Sequence, residues 1–410
     1  MPNRRDIVAS FTDPIRGDAD VSERMEEMAY LDNSATTRTD DQVVRVMVEV
    51  MNNIYGNPAS LHGLGAKAER LVTQAREATA RTLGVSPGEI VFTSGGTEGN
   101  NTAIKGVAFQ YRDRGRHLIT TRVEHPSVYG VCKQLEEWGW RVTYLPVDAY
   151  GRVRPEDVET AITDETVLVS VMHVNNEVGT IQPIAEIGAL LKRHPKVLFH
   201  VDAVQSFGKM EVRPKEWGVD LMTLSGHKFH GPKGVGCLYV REGVSLAPLL
   251  TGGGQEGGLR SGTHNVPGIA GFAKAALLAK ERQPEAVRRW SRWKADLIEQ
   301  VMSRVEGVRV NGDPSHEGGA PHIVSFSFPG LRSEVIVHAL EEENVFVSSK
   351  SACSSKGEKP SRILLAMGLD PTAAVGSIRI SMGYHTTEEE VERCARALCQ
   401  VIPRLQKIMT

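Results

Sequence analysis

The chain has 410 residues, 40% of them hydrophobic, with 48 basic against 50 acidic side chains. That is the composition of an ordinary globular protein, long enough for two or three domains. A formal charge of −2 gives no global field toward nucleic acid, and no apolar run approaches the roughly 20 residues of a membrane span, so neither is expected as a partner.

Residues 1–28 mix Arg4, Arg5, Asp6, Asp13, Arg16, Asp18 and Asp20 with no apolar stretch of the kind a secretory signal needs, and the acids argue against a transit peptide. They are expected to form a weakly ordered extension. Helical periodicity over 41–53, 65–83, 97–110, 127–138, 183–193 and 268–281 alternates with short apolar runs at 89–93, 117–121, 141–146, 167–172, 197–201, 219–224 and 236–240. Strands and helices of these lengths predict crossover units and an α/β fold with a mainly parallel sheet covered on both faces. Residues 284–305 predict a separate amphipathic helix whose Arg288, Arg289, Arg292 and Lys294 form a solvated face. Beyond it the pattern is a smaller α+β unit: strand 322–328, helix 333–342, loop 348–361, helix 361–367, strand 377–382 and helix 387–406. The expected division is a large domain over 40–284 and a small one made of 29–39 with 285–410.

Ser225-Gly226-His227-Lys228 closes the apolar run at 219–224 and puts a lysine at the exit of a buried strand. A desolvated lysine loses its charge and becomes nucleophilic. Asp202 ends the run before it, and a Schiff-base lysine paired with an aspartate for a pyridinium nitrogen is the protein signature of pyridoxal phosphate chemistry. Ser94-Gly95-Gly96-Thr97-Glu98 follows another strand and opens a helix, where glycines and free N–H groups suit a phosphate. His125 follows the strand at 117–121 and Asn176 the strand at 167–172. Four strand ends carrying Thr97, His125, Asn176 and Asp202 point to one shared site, because open α/β sheets bind ligands there. The glycine-dense loop 252–263 offers Arg260, Ser261 and Thr263 to an anion, and Arg379 on a C-terminal strand is either a structural ion pair or a carboxylate clamp.

Five cysteines without a CxxC pair read as reduced cytosolic thiols, neither a disulfide framework nor a metal site. Cys132, Cys237, Cys394 and Cys399 sit among apolar neighbours as small core residues. Cys353 lies instead in the polar run 348–360, expected to be an exposed, mobile loop, where Lys350, Lys356 and Lys359 favour the thiolate.

From about Leu31 to Glu390 the chain resembles the cysteine desulfurases, the NifS/IscS-like group of fold-type I pyridoxal-phosphate enzymes. The resemblance rests on Leu31-Asp32-Asn33-Ser34-Ala35-Thr36-Thr37, Ser94-Gly95-Gly96-Thr97-Glu98, Met172-His173-Val174-Asn175-Asn176-Glu177, His200-Val201-Asp202-Ala203-Val204-Gln205, Ser225-Gly226-His227-Lys228, Arg260-Ser261-Gly262-Thr263 and Ser351-Ala352-Cys353-Ser354-Ser355. It implies Lys228 as the Schiff-base lysine, Asp202 as partner of the pyridine nitrogen, and His125 stacked on the ring. Asn176 and Gln205 would bond the ring substituents. Gly96, Thr97, Ser225 and His227 would hold the phosphate, with Thr263 reaching in from the other subunit of a homodimer. Arg379 would clamp the carboxylate of L-cysteine, and Cys353 would take its sulfur as a persulfide for an acceptor protein of iron–sulfur assembly or tRNA thiolation. The cytoplasm is the expected compartment.

Three positions depart from the family pattern: Lys350 replaces a common glycine, Glu256-Gly257-Gly258 stands where Glu-Arg-Gly is usual, and His264 where glutamate is frequent. The nearest rival reading is a selenocysteine lyase or another pyridoxal enzyme of this fold. A rival of another class is a non-catalytic sulfur-relay scaffold.

Overall fold

Residues 28–349 and 360–409 are described by the structure, a computed structural model. Lys350, Cys353, Lys356 and Lys359 lie outside the described residues, as does residues 1–27 of the extension. The chain begins with β1 (Ala29–Tyr30), α1 (Asp41–Asn53), α2 (Gly63–Leu83), β2 (Ile90–Thr93), α3 (Gly96–Tyr111), β3 (His117–Thr121), α4 (Pro126–Glu137) and β4 (Arg141–Leu145). It continues through α5 (Pro155–Ala161), β5 (Thr166–Met172), α6 (Ile184–Leu191), β6 (Leu198–Asp202), β7 (Leu221–Ser225) and β8 (Gly236–Val240). The long helix α7 (Val266–Arg304) leads to β9 (Arg309–Asn311), β10 (Ile323–Ser327), α8 (Ser333–Glu341) and β11 (Val345–Phe346). The described chain closes with α9 (Arg362–Ala366), α10 (Pro371–Val375), β12 (Ser377–Ser381) and α11 (Glu388–Met409).

Strands β2 to β8 form one seven-stranded sheet in the order β2-β8-β7-β6-β5-β3-β4. Only β8 runs against its neighbours; the pairs β7–β6, β6–β5, β5–β3 and β3–β4 are parallel. Every residue of β5, β6 and β7 is buried, which is why these strands read as near-continuous apolar runs without alternation. Helices α1 and α2 pack on α7, and α3 lies across β5, β7 and β8. The C-terminal unit holds an antiparallel sheet, β12-β10-β9, and β1 pairs in parallel with β11, so the N-terminal strand joins the C-terminal unit. No described helix is long and apolar enough to cross a membrane.

Two expectations need correction. The helices expected over 268–281 and 284–305 are one 39-residue helix, with Pro284 inside it. Proline removes one N–H and crowds the preceding turn, but the residues around it are pinned by tertiary contacts. Arg282 donates to Asp40 at 2.6 Å, Gln283 to the Met210 carbonyl, and Ala286 and Trp290 are buried. Residue 284 therefore falls inside a continuous helix. Lys294 is not on a solvated face: it is 6% exposed and donates to the Ala320 carbonyl at 3.1 Å, while burial pushes its amine down to about 8. The loop expected over 348–361 is tied at both described ends. Ser348 exchanges backbone hydrogen bonds with Arg379, and buried Ser361 caps α9.

Candidate active site

Five strands of the large sheet deliver side chains to one edge. Beyond β2 lies the turn into α3, beyond β3 the segment Val123-Glu124-His125, beyond β5 Asn175-Asn176, and β6 and β7 end in Asp202 and Ser225. Ser34 and Ala35 approach from the N-terminal segment and Arg379 from β12, closing a cavity of about 160 Å³. It brings together Gly96, Thr97, His125, Asn176, Asp202, Gln205, Ser225, His227, Lys228 and Arg379. Thr263 is exposed and does not line it, and Cys353 lies outside the described residues.

Gly96 and Thr97 line the cavity and begin α3, so their N–H groups have no acceptor within the helix, the arrangement that suits an anion. The turn requires its glycines. Gly95 has φ of 151°, and a Cβ on Gly96 would stand 2.9 Å from Val204 Cγ2.

Asp202 is 5% exposed and is held by a network the sequence reading missed. Its Oδ1 accepts the Val204 N–H at 3.0 Å, and its Oδ2 accepts Asn100 Nδ2 at 2.8 Å. The same Asn100 amide donates to Ser127 Oγ at 2.8 Å, and Ser127 Oγ lies 2.7 Å from His125 Nδ1. The backbone N–H of Ser127 also points at Nδ1, from 3.1 Å. A backbone N–H can only donate, so Nδ1 accepts and the neutral ring carries its proton on Nε2. Burial keeps it neutral: desolvation lowers the His125 pKa despite the opposing pull of Asp202. Asn100 and Ser127 were legible only as parts of helix openings, since nothing in their spacing links them to Asp202.

Lys228 Nζ donates to the carbonyls of Ser34 and Ala35 at 2.7 and 2.8 Å. Gln205 Nε2 shares the Ser34 carbonyl at 3.0 Å, and buried Lys209 donates to Gln205 Oε1. His227 bonds Thr36 Oγ1 at 3.1 Å through Nδ1, and burial, reinforced by Lys228, lowers it to about 3. Arg379, 2% exposed, donates from Nη1 to the Asn176 carbonyl and from Nη2 to Asp32, each at 2.7 Å. The arginine is thus already in an ion pair while its guanidinium lines the cavity.

Behind His125 stands Glu124, another residue the sequence reading left without a role. Its Oε1 accepts Thr121 Oγ1 and the Met172 N–H at 2.8 and 3.1 Å, and complete burial raises its carboxyl to about 8. The other cysteines have the environment of inert core thiols: Cys132, Cys237 and Cys394 are buried and pushed up in pKa by desolvation, and Cys399 is half-buried. Arg260 of the glycine-dense loop is engaged by Glu98. Among the described residues no group of three or more His, Cys, Asp or Glu could hold a metal.

An amine, a braced carboxylate, an anion-binding helix start and a guanidinium at the carboxyl edge of a mainly parallel sheet define an α/β enzyme of fold type I. The Aminotransferase class-V family model matches residues 29–394. A cysteine desulfurase IscS of Clostridium botulinum (strain Hall) is 42% identical over 384 residues, 94% of this chain and 96% of that protein. A putative cysteine desulfurase IscS 1 of Bacillus subtilis (strain 168) is 43% identical over 92% of this chain and 100% of its own. A solved structure named NifS-like protein superposes with a TM-score of 0.86 at 41% identity, over 92% of this chain and 100% of that one. The chain belongs to the aminotransferase class-V family and, within it, to the cysteine desulfurases of the NifS/IscS-like group.

Proposed function

We propose that this protein takes sulfur from L-cysteine, releasing L-alanine, and carries it on Cys353 to an acceptor protein of iron–sulfur assembly or tRNA thiolation in the cytoplasm. The observation that carries the reading is the meeting of Lys228, Asp202 and Arg379 in one cavity.

The cavity fits pyridoxal 5′-phosphate on its own chemistry. Asn100 and the Val204 N–H keep the Asp202 carboxylate turned toward a fixed point, as a pyridinium proton requires. Asn176 Oδ1 is buried without a partner among the described residues, ready for a ring substituent. The N–H groups of Gly96 and Thr97, with Ser225 and His227, suit the phosphate, and Gln205 a second ring substituent. When bound, this cofactor supplies an electron sink that makes the Cα–H of an attached amino acid acidic.

Each remaining role belongs to a residue of the chain. The imidazole face of His125 would pack against the ring, with its proton held on Nε2 by Ser127. Arg379 binds the substrate carboxylate, exchanging part of its bond to Asp32. Lys228 would hold the cofactor and, once displaced by the substrate amine, would be free to move the Cα proton. The Cys353 thiolate would attack the substrate sulfur; an S–S bond forms as the C–S bond breaks, the electron pair goes to the substrate β-carbon, that carbon takes a proton, and return of the Cα proton completes alanine.

The exposed stripe Val44, Val48 and Met51 on α1, continued by Tyr55 and Leu61, supports a homodimer in which Thr263 serves the neighbouring site. A large unit at 40–284 and a small one of 29–39 with 285–410 remain the working division, with α7 crossing between them.

The test is mass spectrometry after incubation with L-cysteine. Cys353 should gain one sulfur, Cys353→Ala should gain none there, and borohydride should fix the cofactor on Lys228. A protein that makes alanine while Cys353 stays unmodified would refute the sulfur-transfer reading.

A further inference from the structure

The anion cradle at the start of α3 carries a charge of the wrong sign beside it. Glu98 is the third residue of α3, next to Gly96 and Thr97. A carboxylate in a first helical turn suits the helix dipole, but it also opposes an anion drawn to the same N–H groups. The carboxylate cannot simply be dispensed with, because its Oε2 accepts the Ser94 N–H at 2.8 Å and so closes the turn that positions Gly95 and Gly96.

Arg260 meets this charge. Its Nε donates to Glu98 Oε1 at 2.8 Å and its Nη2 to Oε2 at 3.4 Å, with the two side chains 24% and 14% exposed. Burial alone would raise the Glu98 pKa, but Arg260 and Ser94 outweigh it and hold the carboxyl below its ordinary value, so it stays ionised. Arg260 is itself fixed from both sides. It pairs with Leu250 in a parallel bridge, and the loop it rides on is anchored by Glu256, whose carboxylate accepts Arg76, His264 and the Phe92 N–H.

We propose that Arg260 is a positioning residue for the cofactor phosphate that acts without touching it, by neutralising Glu98 so that the phosphate meets only the positive end of α3. The inference rests on the pyridoxal phosphate reading above. It also assigns the glycine-dense loop a task in its own subunit, separate from that proposed for Thr263. The bidentate geometry makes arginine the fitting residue, since lysine would offer a point charge.

The experiment titrates full-length apoprotein with pyridoxal 5′-phosphate and, separately, with pyridoxal, which lacks the phosphate. Arg260→Gln should weaken pyridoxal 5′-phosphate about tenfold, the scale of a partly buried charge at a helix end, and leave pyridoxal unchanged. Glu98→Gln keeps an oxygen for Ser94 and should bind at least as well as wild type. The double variant should return to within about twofold of wild type, because the charge to be neutralised is gone. Equal affinity in Arg260→Gln and wild type overturns the proposal. So does a double variant as weak as Arg260→Gln, which would mean direct contact with the phosphate, or an equal loss for pyridoxal, which would mean a misplaced loop. If Arg260→Gln does not fold, Glu98→Gln still decides, since weaker binding by it overturns the proposal. A wild-type protein that takes up no pyridoxal 5′-phosphate overturns the functional reading itself, a result distinct from the others.

Discussion

Arg379 Nη2 and Asp32 Oδ1 stand 2.7 Å apart, with the arginine side chain 3% exposed. The guanidinium proposed for the substrate carboxylate is therefore already ion-paired before substrate arrives, by a residue distant in sequence, while its buried Nε has no partner among the described residues. This keeps a buried cation paired, and it sets a competition that any incoming carboxylate has to win.

Removing the competitor should make the site tighter. In Asp32→Asn the KM for L-cysteine should fall about three- to tenfold, while the melting temperature drops because a buried charge has lost its counter-ion. Steady-state kinetics with thermal melts checks both. A higher KM would mean that Asp32 orients Arg379 and does not compete for it.

Asn100 spans Asp202 and Ser127 with its two amide hydrogens. Asn100→Ala should lower cofactor affinity about five- to tenfold, the loss of one charge-assisted hydrogen bond. Asn100→Asp should be worse, since a second carboxylate against Asp202 disfavours the ionised form that the site needs. Apoprotein titration ranks the three proteins, and equal affinity for both variants would contradict the charge argument.

Glu124 gives a pH signature. Burial raises its folded pKa from 4.5 to about 8, so between those values the unfolded chain releases a proton that the folded chain keeps. Stability from this group is complete below about pH 4.5 and is lost as pH rises toward 8, by on the order of 3–5 kcal/mol. Glu124→Gln, neutral throughout, should therefore melt close to wild type near pH 5 and gain on it toward pH 8. Parallel melting curves at all pH values would show that Glu124 is ionised when folded.

Glu256 behaves in the opposite sense. Burial would raise it, but Arg76, His264 and the Phe92 N–H overcome burial and hold it at about 2. Its contribution is present above about pH 4.5 and disappears as pH falls through 2. Glu256→Ala should cost about 3–5 kcal/mol near neutrality by leaving Arg76 without its buried partner. Denaturant unfolding measures this, and a loss below about 1 kcal/mol would mean that the loop is held by other contacts.

Much of the fold was legible because buried parallel strands have no solvent face: β5, β6 and β7 read as apolar runs ending in polar residues. The two-residue strands β1 and β11 and the three-residue β9 are too short to show a period, so only pairing reveals them. Helix α5 was missed despite Pro155 at its start and Glu156 and Asp157 in its first turn, which are ordinary opening signals. The continuity of α7 through Pro284 was not legible, because local proline chemistry predicts a break and distant contacts of Arg282 and Gln283 override it.

By itself the sequence determined the residue types of the site and their placement at strand ends, since these follow from local patterning: Lys228 after β7, Asp202 at the end of β6, glycines before α3. Only the tertiary structure decided what each of these side chains faces. Asn100 reaches Asp202 across 102 residues, Arg260 reaches Glu98 across 162, and Arg379 reaches Asp32 across 347. Hydrogen bonds and ion pairs depend on distances of a few ångströms between side chains, and separation along the chain does not encode those distances until the sheet and its covering helices have closed.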